Sequence, residues 1–282
     1  MKENESTVRI ENLMFNYGKH VVFENLTLDL EAGKIYGLLG ENGVGKTTLL
    51  RMICGLLRPK SGNCTVLGHK SSSRNPETLK DLYYVPEIFI APPIKVETFA
   101  RSNSLLYPSY DPAQFQRLCK TFDVDPEIRF DKLSHGQQKK ALISFAISLN
   151  TRLLLMDEPS NGLDIPSKTI LRRVISECVS DDRTLVISTH QVRDLENLID
   201  PIIILDRSGL ILNASIEQIS EHLYFTMSAE ADPDAYWSEG SLNGYYQVIP
   251  NRDGLPSRVN LEALFNATLK NKETFKKLFD NK

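Results

Sequence analysis

Short apolar runs alternate with longer helical patterns along most of the chain. Residues 7–15 and 21–30 resemble strands, and the compact apolar run at 34–39 stops at a glycine, as a buried strand would. From residue 134 onward the pattern predicts helix 134–149, strand 152–156, helix 168–179, strand 184–188, helix 192–198 and strand 201–205. Helices that alternate with continuous apolar strands predict an α/β fold with a mostly parallel sheet.

The remaining segments are less regular. Residues 45–57 have the apolar content of a helix that ends before Pro59, and helical stretches lie near 96–107 and 111–122. Beyond residue 219 the composition changes, since residues 229–254 are polar and rich in turn residues. Two short helical patterns, 260–269 and 272–279, close the chain. We therefore expect one domain over residues 1–220 and a small C-terminal appendage over 221–282.

Composition narrows the classes of function. The 282 residues allow roughly one to two domains. Lys and Arg number 33 against 36 Asp and Glu, so the net charge is −3 and no nucleic acid partner is expected. Four scattered cysteines fit a reducing compartment better than a disulfide framework. No apolar stretch approaches the roughly 20 residues that span a membrane, so any membrane crossing would belong to a separate polypeptide.

A phosphate-binding loop follows the strand at 34–39. Its residues match the pattern G-x-x-x-x-G-K-[ST], and they are Gly40, Glu41, Asn42, Gly43, Val44, Gly45, Lys46 and Thr47. Glycines let successive backbone N–H groups point inward at phosphate, and the N-terminus of the next helix adds a partial positive charge. Lys46 supplies a full charge to the β- and γ-phosphates, Thr47 can ligate Mg²⁺, and Thr48 could donate to the α-phosphate. This loop predicts a nucleoside triphosphate site.

Two carboxylates follow the apolar strand at 152–156. Asp157, at the end of the strand, can hold Mg²⁺ through water, and Glu158 is placed to polarise the attacking water. An acidic loop after a core strand would be unremarkable alone. Together with the phosphate loop, the pair predicts hydrolysis of the triphosphate.

A third motif indicates a family. Ser134, His135, Gly136 and Gln137 follow Leu133 at the start of a helix. This segment resembles the L-S-G-G-Q signature of the ATP-binding cassette (ABC) superfamily, with His135 in place of the first glycine. Other elements follow in the family's order, namely the A-loop aromatic Tyr17, the D-loop that ends at Asp164, and the switch histidine His190. The resemblance covers about residues 7–220.

The resemblance implies a fold and a set of roles. The fold would be the ABC type of P-loop NTPase, with a mixed sheet core, an antiparallel β subdomain and a helical subdomain at about 88–150. Tyr17 would stack on adenine, and His190 would contact the γ-phosphate and the attacking water. The signature residues 134–137 would present helix N–H groups to ATP held by a second subunit. Tyr17 could instead be a core aromatic, and locally Ser134 could equally be a simple helix cap.

One departure concerns the Q-loop. Glu87 stands where the family carries glutamine, after Tyr83-Tyr84-Val85-Pro86. A carboxylate can still approach Mg²⁺, although Glu87 could instead be a solvated loop charge. This form resembles the ATPase subunits of drug, antibiotic-peptide and polysaccharide exporters. Residues 259–265 also resemble exporter tails, or form a helix that only packs.

The leading hypothesis is therefore the ATPase subunit of an ABC transporter. Family resemblance alone indicates that the transport is export. ATP and Mg²⁺ would be its cofactors. Its partners would be a second ATP-binding subunit and integral membrane permease subunits, which would place it in the cytoplasm on the inner face of the cell membrane. The alternatives are a soluble ABC ATPase that acts on ribosomes or DNA, and a nucleotide-sensing cassette with little hydrolysis.

Overall fold

The computed structural model describes residues 6–279. In chain order the strands are β1 (Ser6–Tyr17), β2 (His20–Glu31), β3 (Ile35–Leu39), β4 (Ser61–Val66), β5 (His69–Lys70), β6 (Leu82–Val85), β7 (Leu153–Asp157), β8 (Thr184–Thr189), β9 (Ile202–Asp206), β10 (Gly209–Ala214), β11 (Leu223–Ser228), β12 (Trp237–Ser241) and β13 (Gly244–Pro250). The helices are α1 (Lys46–Ile53), α2 (Pro76–Leu79), α3 (Val96–Ser104), α4 (Pro112–Thr121), α5 (His135–Ser148), α6 (Ile165–Glu177), α7 (Ile216–His222), α8 (Leu261–Lys270) and α9 (Lys272–Leu278).

A six-stranded mixed sheet forms the centre, in the order β10-β9-β3-β8-β7-β6. Its neighbouring strands from β9 to β6 are parallel, and β10 pairs antiparallel with β9 at one edge. Strands β3, β7, β8 and β9 are buried along their whole length, which explains their continuous apolar sequences. Because parallel strands end at the same edge of a sheet, the loops after β3, β6, β7 and β8 lie along one edge.

Two hydrophobic clusters cover the two faces of this sheet. In β7, Leu153 and Leu155 belong to the cluster formed with α1 and with the antiparallel sheet β2-β1-β4-β5. The intervening Leu154 and Met156 belong to the second cluster, which includes α5 and α6. Side chains alternate across a strand, so one apolar run supplies both layers.

Helices α3, α4 and α5 are inserted between β6 and β7. An aromatic cluster holds them together, since the ring centroids of Phe99 and Phe130 are 5.1 Å apart and those of Phe99 and Phe145 are 5.3 Å apart. The predicted α/β class is confirmed, with its mixed sheet core, an antiparallel β layer and inserted helices.

The C-terminal part differs from the sequence prediction in one respect. Residues 229–254, which the sequence indicated only as polar and turn-rich, contain β12 and β13 of the antiparallel sheet β11-β13-β12. Helices α8 and α9 lie where two helices were predicted. Trp237, Leu264 and Phe275 are buried in the same cluster as the central sheet, so this part packs directly against it.

One predicted helix is wrong. Residues 192–198 form only a short 3₁₀ turn at Val192–Leu195. Glu196 is extended, with ψ of 136°, and Asn197 has φ of +64°, so the chain cannot continue as a helix. Within residues 6–279, no helix has both the length and the apolar character needed to cross a membrane.

Candidate nucleotide-binding and catalytic site

The phosphate-binding loop wraps around the side chain of Lys46. Its Nζ donates hydrogen bonds to the carbonyl oxygens of Gly40, at 2.7 Å, and Glu41, at 3.2 Å. Gly43 and Gly45 adopt φ of +84° and +109°, which only glycine adopts readily. Burial lowers the pKa of Lys46, and the nearby Glu158 carboxylate partly offsets this effect. A buried cation inside a loop of inward-turned backbone is a site for an anionic ligand.

The carboxylate of Asp157 gathers three hydroxyl groups from different elements. Thr47 Oγ1 donates to its Oδ2 at 2.7 Å, and Tyr84 donates to the same oxygen at 3.1 Å. Ser188, from β8, donates to Oδ1 at 2.5 Å. Burial raises the pKa of the Tyr84 phenol, which therefore remains a donor at neutral pH. These contacts fix Asp157 beside Thr47, the first residue after Lys46.

Glu158 lies at the centre of the site. Its side chain is only 5% exposed, and its Oε1 lies 2.9 Å from His190 Nδ1 and 3.6 Å from Lys46 Nζ. Neither carboxylate oxygen of Glu158 accepts a hydrogen bond from residues 6–279, although buried polar atoms nearly always have a partner. A buried carboxylate whose oxygens have no hydrogen-bond donor, next to a phosphate-binding loop, is suited to accept a proton from water.

Tyr17 lies at the end of β1, beside the phosphate loop. Its ring is 46% exposed and packs edge-on against Phe15, with centroids 4.9 Å apart. Its hydroxyl lies 3.4 Å from Thr48 Oγ1. The outer face of this ring is therefore available for stacking by a planar base, rather than buried in the core.

Glu87, in the loop after β6, is exposed and faces the D-loop. Its Oε1 accepts a hydrogen bond from Asn161 Nδ2 at 3.2 Å. Its charge raises the pKa of Lys46 and of Lys139, although burial is the larger influence on both amines and lowers their pKa. Glu87 is therefore close enough to Lys46, in the phosphate-binding loop, to influence its charge.

The signature residues begin α5 in a capping box. Ser134 Oγ accepts from the N–H of Gln137 at 3.3 Å, and Gln137 Oε1 accepts from the N–H of Ser134 at 3.1 Å. Ser134 and His135 are exposed. Among the described residues, no hydrogen bond joins residues 134–137 to the loop 40–48 of the same chain.

The D-loop residue Asp164 caps the next helix. Its Oδ1 accepts from the N–H of Ser167 at 2.9 Å, and this hydrogen bonding holds the pKa of Asp164 below its ordinary value. Gly136 packs closely on the same loop, because a Cβ atom there would lie 3.2 Å from the carbonyl oxygen of Gly162. The start of α5 and the D-loop are therefore in close contact.

The residues fit a Mg²⁺–triphosphate pair. Described residues contain no cluster of three or more His, Cys, Asp or Glu side chains that could hold a metal. Mg²⁺, however, usually takes only one or two protein carboxylates and completes its shell with water and substrate phosphates. The adjacent oxygens of Thr47 and Asp157 suit this arrangement, beside a loop that binds phosphate.

Sequence reasoning missed three residues of the site. Tyr84 and Ser188 hold Asp157, and Lys139 donates to the backbone carbonyl of Glu158 at 2.7 Å. The sequence analysis included Tyr84 and Ser188 only as neighbours of Glu87 and His190. The signal that could have identified them is that each lies on a strand next to β7, which ends at Asp157.

Comparison with known proteins gives a consistent result. Residues 23–161 match the family model described as "ABC transporter". An uncharacterised ABC transporter ATP-binding protein of Methanocaldococcus jannaschii is 27% identical over 77% of this chain and 81% of its own length. The Nod factor export ATP-binding protein I of Cupriavidus metallidurans is 29% identical over 71% of this chain and 68% of its own length. The lantibiotic transport ATP-binding protein SrtF of Streptococcus pyogenes is 28% identical over 68% of this chain and 84% of its own length.

Solved structures agree on the fold. The ATP-binding subunit of an ABC transporter superposes with a TM-score of 0.69 and 24% identity, over 76% of this chain and 91% of that one. A bacterial Atm1-family ABC exporter with ATP bound gives a TM-score of 0.66 and 20% identity, over 76% of this chain and 40% of that one. These similarities confirm the fold expected from the motifs.

Proposed function

Because this chain contains the ATPase domain of the ABC transporter family, we propose that two copies, or one copy and a paralogue, enclose two Mg²⁺–ATP and drive transport through separate membrane subunits. The observation that carries the proposal is the convergence of Lys46, Glu158 and His190. A buried carboxylate lies between a phosphate-binding amine and an imidazole, and neither of its oxygens accepts a hydrogen bond from the described residues.

In this mechanism the chain positions ATP and stabilises charge, as in other phosphoryl transfers. Lys46 and the N–H groups of residues 40–48 hold the phosphates, while Tyr17 stacks on the adenine. Glu158 orients the attacking water and accepts its proton on the carboxylate. His190, with Nδ1 2.9 Å from Oε1 of Glu158, lies beside that carboxylate and contacts the γ-phosphate.

We assign the metal to Thr47 and Asp157, with Glu87 as a further ligand. When bound, Mg²⁺ neutralises charge on the β- and γ-phosphate oxygens. Ser188 and Tyr84 keep Asp157 in place through the hydrogen bonds described above. Compared with the glutamine that the ABC family carries in the Q-loop, Glu87 keeps an oxygen near the site and lacks the amide donor.

A second subunit would complete each site. The cap residues Ser134, His135, Gly136 and Gln137 lie at an exposed helix end. The capping box uses the N–H groups of Ser134 and Gln137, so those of His135 and Gly136 would face a partner's γ-phosphate. Asp164 and the exposed Ile165, with 81% of its surface accessible, lie on the adjoining D-loop and α6. We propose that this surface closes on the phosphate loop of the other subunit, with ATP between them.

A permease would dock beside the inserted helices. A groove of about 700 Å³ lies between α2, β6 and the end of α3. Its wall includes Leu56, Leu105 and Leu106, which are 53%, 85% and 71% exposed. Apolar side chains this exposed are typical of protein interfaces. Docking there would hold the ATPase on the cytoplasmic face of the membrane.

Export is the proposed direction because two relatives are named for Nod factor export and lantibiotic transport. We further propose that residues 1–220 form the nucleotide-binding domain, with its helical subdomain at about 88–150, and that residues 221–282 form an appendage.

The test is the change Glu158→Gln. This variant should bind Mg²⁺–ATP with near-normal affinity and lose at least about a hundredfold in phosphate release, because general base catalysis commonly contributes that much. Glu239→Gln, on the exposed face of β12, should change neither quantity. Turnover at the wild-type rate in Glu158→Gln would remove Glu158 from the catalytic role.

A further inference from the structure

Lys139 is a partly buried cation that the proposed mechanism does not use. It lies one turn into α5, the helix that carries the signature residues at its start. Its Nζ donates to the carbonyl oxygen of Glu158 at 2.7 Å and reaches the carbonyl oxygen of Asn161 at 3.5 Å. One side chain thus connects the signature helix to both ends of the turn between the catalytic carboxylate and the D-loop.

The backbone at Glu158 needs such support. Its φ is +48°, in the left-handed region that non-glycine residues rarely occupy. Ser188 fixes the amide on one side, since Glu158 N–H donates to the Ser188 carbonyl at 3.1 Å. On the other side, the Glu158 carbonyl accepts from the N–H of Asn161 at 3.2 Å and from Lys139. Unfavourable backbone conformations persist where neighbouring contacts over-determine them, and they are frequent at active sites.

The surrounding contacts make α5 and this turn a single mechanical unit. Gly136 packs against the Gly162 carbonyl, and Asn161 also donates to Glu87. These contacts join the start of α5 to the turn that begins at Glu158.

From these contacts we infer that Lys139 is a positioning residue, which links the signature helix to the orientation of Glu158 in its own chain. This inference rests on the proposed function. ATP bound by the partner would engage residues 134–137, and Lys139 would transmit their position to the catalytic carboxylate. The role of Lys139 is distinct from nucleotide binding, because it donates to backbone and not to the phosphate loop.

The principal test replaces Lys139 by methionine, which keeps much of the chain length and removes the donor. We expect kcat for ATP hydrolysis to fall about tenfold or more, because hydrogen bonds from charged groups are among the stronger ones. KM for Mg²⁺–ATP should stay within about twofold. Lys139→Arg, which restores a cationic donor, should recover most of kcat. Lys120→Met, at an exposed position at the end of α4, is the matched control and should behave as wild type.

Two further measurements separate this role from a structural one. Lys139→Gln, a milder change, should show a smaller loss of kcat with the same unchanged KM. In a Glu158→Gln background, Lys139→Met should still form the ATP-dependent dimer, because binding is retained. Unchanged kcat in folded Lys139→Met, parallel changes in kcat and KM, failure of Lys139→Arg to recover activity, or loss of the dimer would each overturn the inference. If Glu158→Gln alone fails to dimerise with ATP, the proposed function fails first.

Discussion

At the scale of single residues, Gly45 shows how tightly the phosphate loop is built. A Cβ atom there would lie 2.7 Å from Val22 Cγ1 and 2.8 Å from Phe23 Cζ, and φ is +109°. We therefore expect Gly45→Ala to distort the loop and weaken Mg²⁺–ATP binding by at least about tenfold, with a lower Tm. Titration calorimetry and thermal melts measure both effects.

Gly43→Ala is the matched control, because it has φ of +84° but open space around its Cβ position. It should pay only the strain of a left-handed alanine, about 1–2 kcal/mol, and lose less affinity than Gly45→Ala. Equal losses in the two variants would show that backbone strain, and not the clash with β2, limits this position.

The sequence predicted the residues whose chemistry is local. Gly40–Thr48 is a contiguous loop whose spacing alone predicts a phosphate site, and in the structure Lys46 Nζ donates to the Gly40 carbonyl inside that loop. Tyr84, Ser188 and Lys139 escaped because each acts on a residue 19 to 73 positions away in the chain. The order of strands in the sheet brings Tyr84 and Ser188 to Asp157, and the packing of α5 brings Lys139 to Glu158. Neither arrangement is visible in local sequence spacing.

At the scale of elements, the two capping boxes allow a comparison. Ser134 caps α5 and Ser215 caps α7 with the same pair of reciprocal hydrogen bonds, to Gln137 and Gln218. Ser134→Ala and Ser215→Ala should therefore each reduce the free energy of unfolding by about 1 kcal/mol. Only Ser134→Ala should reduce ATP turnover, because only α5 carries the proposed contact to a partner's phosphate.

Urea denaturation and phosphate release measure the two quantities in each variant. A similar loss of turnover in Ser215→Ala would attribute the effect to general destabilisation. Normal turnover in Ser134→Ala would leave Ser134 as a helix cap alone.

Helix α9 offers a test that depends on pH. Burial acts to raise the pKa of Asp206 at the end of β9, but hydrogen bonds from Lys272 and Ser208 outweigh it and leave the pKa below its ordinary value. A carboxyl group with a lowered folded pKa stabilises the fold above its unfolded pKa of about 3.9, and this contribution is lost as pH falls through the folded value. Lys272→Met should therefore reduce the free energy of unfolding by about 1 kcal/mol at neutral pH.

The difference from wild type should shrink as pH falls below about 3.9. Urea denaturation across this range measures it, with Lys277→Met, at an exposed position of the same helix, as the control. A difference that is constant with pH would mean that Lys272 acts through packing of its aliphatic stem and not through Asp206.

Strands could be predicted from the sequence where every residue of the strand is buried. Strands β3, β7, β8 and β9 are fully buried and matched the apolar runs. Strand β12 was missed because only Trp237 of its five residues is buried, which leaves no alternating pattern to detect. The helix predicted at 192–198 failed because a short apolar pattern cannot reveal that Asn197 adopts a positive φ.

At the scale of the whole molecule, the fold class followed from the alternation of strands and helices, because a parallel sheet needs helical crossovers. The packing of the C-terminal part against the central sheet could not be predicted from this alternation. Phe275 and Leu264 share a buried cluster with the central strands, and that contact joins residues far apart in the sequence. The composition change near residue 220 thus marks a change of sequence character within one continuous hydrophobic cluster.

The proposed dimer makes the largest-scale prediction. In a Glu158→Gln background, Mg²⁺–ATP should convert the 31.9 kDa chain to a species of about twice that mass, measured by light scattering after size exclusion. Adding Lys46→Ala should abolish this by removing the phosphate ligand, and adding Ser134→Arg should abolish it by blocking the exposed end of α5.

A mixture of these two blocked proteins gives the sharper result. One subunit would contribute an intact phosphate loop, and the other an intact signature helix, so one of the two composite sites would be whole. The mixture should therefore recover a dimer with about one ATP bound. The two subunits should associate more weakly than in the parent protein, because one nucleotide joins them where two did before. If the mixture stays monomeric while the parent Glu158→Gln protein dimerises, the two faces do not meet across ATP, and the signature helix of this chain must act within its own subunit.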